Sequence, residues 1–130
     1  MSAVARVLRP SATVSVLASN AVAAVLHRAL AGRFAEARAL LQGGQGGTGG
    51  SSPRTDTTPR RFTLPELTAL IEAAGLRVGE THGLRIFGGL IPGALLDADA
   101  AAALRALEEA AASTPPLRDI ASQLHVLGRR

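Results

Sequence analysis

The chain has no cysteine, no lysine, no tryptophan and no tyrosine. Without cysteine, disulfides and thiolate metal sites are excluded. Aromatic residues make up 2% of the chain, all of them Phe, which leaves little surface on which nucleic-acid bases could stack. The formal charge of +4 rests on 14 basic residues, every one an Arg. These arginines are scattered, and with the abundant Ala and Gly they read as GC-rich coding bias, so a solvated basic surface is expected rather than a phosphate-binding patch. The three histidines, His27, His82 and His125, are far apart and form no H-x-x-x-H pair. Membrane-spanning length is also lacking. The apolar stretch from Ala12 to Leu26 is short and interrupted by Ser15, Ser19 and Asn20. Pro10 before it and the lack of a small-x-small exit argue against a signal peptide. A cytoplasmic protein with no membrane partner is expected.

What is present is an alternation of extended and helical signals over 130 residues, a length suited to one domain. Thr13 to Ala18 is a short β-branched run ended by Ser19-Asn20, and so apolar a strand needs cover on both faces. Asn20 is a good N-cap for a helix over Ala21 to Leu30, and a second short helix runs from Phe34 to Leu41 with Ala37, Leu40 and Leu41 beside Phe34 on its apolar face. Gly43 to Pro59 is Gly/Ser/Pro-rich and reads as a flexible insert; the Lys-Ser/Thr of a phosphate loop is absent. Thr63-Leu64-Pro65-Glu66 is a capping box, followed by Leu67, Leu70, Ile71 and Ala74 on one helical face and Gly75 as stop. Leu76 to Glu80 and Gly83 to Phe87 read as an extended pair or one kinked strand. Asp97 or Asp99 caps a long Ala-rich helix with Leu104, Leu107 and Ala111 inward and Glu108 and Glu109 solvated. Pro115-Pro116 ends it, and Ser122 to Leu127 forms the final strand. The order argues for an α/β fold with a helix-covered sheet.

Several of these segments carry a family resemblance. Arg9-Pro10, the Ser15 to Asn20 stretch, Ala31-Gly32-Arg33-Phe34, Gly83-Leu84-Arg85-Ile86-Phe87 and the Leu124-His125-Val126 of the last strand resemble the C-terminal half of class I S-adenosylmethionine-dependent methyltransferases. They are most similar to the bacterial tRNA carboxymethoxyuridine methyltransferases. The resemblance covers nearly the whole chain apart from the insert. Two departures stand out: Ser11-Ala12 where relatives carry Gly-Gly, and Gly88-Gly89 where they often continue His-Asp.

The resemblance implies the last three strands of a Rossmann-like sheet, the final one antiparallel, with covering helices. Residues 1–42 would hold the fifth strand and following helices, 43–60 the insert, and 61–130 the remainder of the same domain. Ser122 to Leu127 is expected to insert between the Thr13 to Ala18 strand and the Leu84 to Phe87 strand, bringing Val16 near His125. Leu124 and Val126 would share one face and Gln123, His125 and Leu127 the other. In the family the cofactor is S-adenosylmethionine, held by a Gly-rich loop and an acidic strand end that precede the matched region. The chain therefore reads as a truncated methyltransferase, with no bound cofactor expected for it alone. What it retains is the acceptor side, and Asn20, His27, Arg28 and Arg85 are the substrate-side candidates. His125 reads as a core or interface histidine or, less simply, a base, and His82 as a turn residue. The methyl acceptor is not specified; tRNA follows only from the nearest relatives. The competing function is a non-catalytic protein-interaction module, with possible self-association through an exposed sheet edge.

Overall fold

The β-branched run after Pro10 forms the first strand, and the last strand completes its pairing from the other end of the sequence. In the computed structural model, which describes residues 2–43 and 60–130, the elements in chain order are α1 (Ser2–Val7), β1 (Thr13–Asn20), α2 (Ala21–Leu30), α3 (Phe34–Gln42), β2 (Arg61–Phe62), α4 (Leu64–Ala73), β3 (Arg77–Leu84), α5 (Ala98–Ala111) and β4 (Gln123–Arg129). Short 3-10 turns occupy Gly93–Leu95 and Leu117–Ile120. Most of the Gly-rich insert expected at 43–60 lies outside the described residues.

The sheet order is β2-β1-β4-β3. β4 is antiparallel to both β1 and β3, which therefore run parallel to each other. The insertion of the last strand between the other two is the order expected from the sequence. Val16 stands opposite Val126, beside His125, and Leu17 stands opposite His125, so Val16 lies near His125 as expected. A fourth, two-residue strand was not foreseen. β2 pairs parallel with β1 through Ser19↔Arg61 and Asn20↔Phe62 only.

β3 is displaced from its expected position. It ends at Leu84, and Arg85 takes a left-handed conformation with φ 56°, which turns the chain out of the ladder. Ile86 then enters a small core with Ala111 and Ala121 instead of continuing the strand. A register shift between Val78 and Thr81 marks a bulge in β3. His82 lies within this strand, opposite His125, not in a turn.

The main core lies on one face of the sheet. Leu67 and Ile71 of α4 pack on Leu124 and Val126 of β4, with Val14, Val16 and Ala18 of β1 beside them. The capping box forms as the sequence implies: Thr63 Oγ1 accepts from the Glu66 N–H, and Glu66 Oε2 accepts from the Thr63 N–H. Gly75, at φ 85°, supplies the left-handed residue after the helix. Two other helices bury less than their apolar faces suggest. Phe34 and Leu41 of α3 are exposed, and so is Leu107 of α5.

The other face of the sheet is open. It carries Thr13, Ser15 and Leu17 of β1, His125 of β4, and His82 and Leu84 of β3; Leu17 retains 54% of its surface. Backbone directions along β1 follow from two bonds. Asn20 N–H donates to Ser122 O, and Arg130 N–H donates to Ala12 O. Even-numbered residues of β1 therefore direct their backbone groups toward β4, and odd-numbered ones toward the opposite edge. Beyond the β2 pairing at Ser19 and Asn20, no described strand covers that edge.

Candidate functional site at the end of the first strand

Where β1 hands over to α2, the chain needs a residue that can leave the strand and start a helix. Asn20 does both. Its Oδ1 accepts from Val22 N–H at 3.0 Å, capping α2, and its Nδ2 donates to Asp119 O at 2.8 Å and Ala121 O at 2.7 Å. Asn20 is 2% exposed, so both amide hydrogens are committed to tying β1 to the turn before β4. This amide shapes the cleft without being free to bind in it.

The cleft beside it has a volume of about 230 Å³ and is lined by Ser19, Asn20, His27, Arg28, Arg61 and Ser122, among others. His27 and Arg28 come from the last turns of α2, one turn and more beyond the cap. Arg28 Nη1 donates to Ala24 O at 3.1 Å, and its Nε stands 3.8 Å from Glu36 Oε2. The His27 Nε2 atom is buried with no hydrogen-bond partner. Gly89 closes over it: a Cβ there would stand 3.0 Å from His27 Cε1 and 2.9 Å from Ser122 Oγ. Gly89 thus permits a backbone approach that a side chain would block, whereas Gly88 has open space around it. Ser122 is held by Arg85, whose carbonyl accepts from Ser122 Oγ at 2.9 Å.

Of the four substrate-side candidates, Asn20, His27 and Arg28 meet in this cleft. Arg85 does not. It lines a separate cleft with Arg105, Glu108 and Glu109. Ser19, Arg61 and Ser122 complete the first cleft and were not foreseen. Arg61 arrives through β2, too short a strand to leave a periodic signal.

Glu108 also departs from its expected role. It is half-buried, and its carboxylate accepts from Ile86 N–H at 2.8 Å and Phe87 N–H at 2.5 Å. The left-handed turn at Arg85 frees these two amides from the ladder, and the Glu108 carboxylate satisfies both.

With two guanidiniums, two hydroxyls and an imidazole, the cleft is rich in hydrogen-bond donors. Its residues do not suit S-adenosylmethionine. The strands β1, β2 and β3 end in Asn20, Phe62 and Leu84, so among the described residues none of them ends in an acidic residue that could bind ribose hydroxyls. The residue ending β1 has its amide spent on α2 and the turn at Asp119–Ala121. Among the described residues, no group of three His, Asp or Glu is placed to hold a metal ion, and no helix is long and apolar enough to cross a membrane.

No protein-family model matches the chain, and no curated protein matches it. The functional reading rests on topology and on the cleft.

Proposed function

We propose that these residues form the acceptor-side part of a class I S-adenosylmethionine-dependent methyltransferase domain, acting in the cytoplasm. The observation that carries the reading is the strand arrangement: β4 lies antiparallel between two mutually parallel strands joined through helices. The second support is the edge of β1 away from β4, which among the described residues is paired only at Ser19 and Asn20, where such a sheet would continue. In this reading the cleft of Asn20, His27, Arg28 and Arg61 borders the methyl acceptor, and the cofactor is bound by residues outside this chain. A tRNA acceptor is the narrower form of the proposal.

The test has two stages. Translating the DNA upstream of the Met1 codon in every frame should reveal an apolar strand, a Gly-rich loop and an acidic strand end. That polypeptide, mixed with the chain, should co-elute with it and transfer label from tritiated S-adenosylmethionine to bulk tRNA. The absence of any such coding segment, or failure of the two polypeptides to associate, would overturn the reading. A second reading, a non-catalytic interaction module, is favoured by the same uncharged edge of β1. It predicts a stable partner complex with no dependence on the cofactor.

A further inference from the structure

The open face of the sheet holds a row of polar side chains, two hydrogen bonds and a charge contact, that the methyltransferase reading does not use. Ser15 Oγ lies 2.6 Å from His125 Nε2, His125 Nδ1 lies 3.3 Å from His82 Nδ1, and His82 Nε2 lies 3.5 Å from Glu80 Oε2. The two rings have centroids 5.5 Å apart and planes 19° from parallel. That centroid separation exceeds the nitrogen separation by about two ring radii, so the Nδ1 atoms lie between the rings and meet edge to edge. Glu80 stands beside His82 as a charge partner, and the direction of the row is set by the histidine tautomers. In the tautomer with the proton of His125 on Nδ1, that N–H donates to His82 Nδ1 and His125 Nε2 accepts from the Ser15 hydroxyl.

This is the arrangement that turns a serine into a nucleophile: a base within hydrogen-bond reach, itself oriented by further groups ending in a carboxylate. Ser15 is exposed, so an electrophile can approach it. Its own backbone N–H belongs to the odd-numbered set directed away from β4, at the edge no described strand covers, and is available to a developing oxyanion. Leu17, directly opposite His125 and 54% exposed, and Leu84, 38% exposed, flank the row with apolar surface.

We propose that Ser15 is an acyl-accepting nucleophile for activated carboxylic esters with a small apolar acyl group. The Ser15 Oγ–carbon bond forms as the bond from that carbon to the leaving oxygen breaks. The hydroxyl proton passes to His125 Nε2 and then to the leaving oxygen. Water hydrolyses the acyl-serine by the same route, restoring the hydroxyl and releasing the carboxylic acid. His125 touches the reacting atom; His82 and Glu80 are positioning residues.

The test treats the full chain with an alkyl fluorophosphonate, whose P–F bond is replaced by a P–O bond to the nucleophile, and locates the adduct by tandem mass spectrometry. A single adduct on Ser15 is expected, absent from Ser15→Ala and formed at least tenfold more slowly in His125→Gln. Added imidazole should restore part of the rate in His125→Ala, a response a merely structural histidine would not give. Glu80 is mostly exposed, so Glu80→Gln should fold normally, slow the labelling several-fold, and be rescued by Glu80→Asp. No adduct, an adduct on another residue, or a Ser15 adduct indifferent to both His125 and Glu80 would overturn the proposal. None of these outcomes bears on cofactor-dependent association, so the methyltransferase reading stands or falls separately.

Discussion

Asn20 joins a helix start, a strand end and a distant turn through one amide group. Asn20→Ala leaves the part-buried carbonyl of Asp119, the buried carbonyl of Ala121 and the Val22 N–H without that partner. The expected loss is about 3 kcal/mol, measured by urea denaturation. Asn20→Asp should be no better, because its carboxylate would face two carbonyl oxygens. The capping role was legible, since Asn before an apolar-periodic run is a helix-start signal. The two carbonyl partners lie about a hundred residues later and leave no local trace. Glu108 teaches the same lesson. Its spacing on an Ala-rich helix suggests a solvated face, and only the left-handed turn at Arg85 creates the amides it serves. Glu108→Ala should cost about 2 kcal/mol and speed hydrogen exchange at the Ile86 and Phe87 amides, whereas Glu109→Ala should be near neutral.

At the scale of elements, α4 was the most readable because its start signal is entirely local. Thr63→Ala removes the cap and should destabilise by about 1 kcal/mol, with Thr63→Ser restoring most of the loss in thermal melts. β3 was less readable. Leu84 and Ile86 alternate with Arg85 as a strand would, yet the pattern spans the end of the ladder, because Ile86 is drawn into the core beside Ala111 and Ala121. β2 has too few residues for any period to register, so Arg61 was missed as a lining residue of the cleft. The apolar face of α3 was legible as a pattern but not as a core, since the sequence does not say what an exposed Phe34 would pack against. The histidine row was hidden for another reason: His82 and His125 meet only through the register of β3 on β4.

At the scale of the whole molecule, one face of the sheet is covered and one edge of β1 is largely unpaired. That edge, Thr13–Asn20, has no charged residue and no proline to discourage pairing. The chain alone should therefore self-associate, with sedimentation coefficients rising with concentration, and Leu17→Lys should suppress this without disturbing the core face. A concentration-independent monomer with a sharp unfolding transition would point instead to an autonomous module. Leu124 is fully buried in the main core, and Leu124→Ala should cost about 2–5 kcal/mol.

The strand at the middle of the sheet is the latest of the four in chain order. Ser15 and His125 are 110 positions apart, and β1 and β3 have no bond to each other except through β4. During synthesis neither can form its long antiparallel pairing until β4 has left the ribosome. Closure of such distant contacts is slow, and the waiting strands are exposed to aggregation throughout. Slowing translation ahead of Gln123 should therefore lower the soluble yield, while the same pause placed before Thr13, when neither strand has been made, should not.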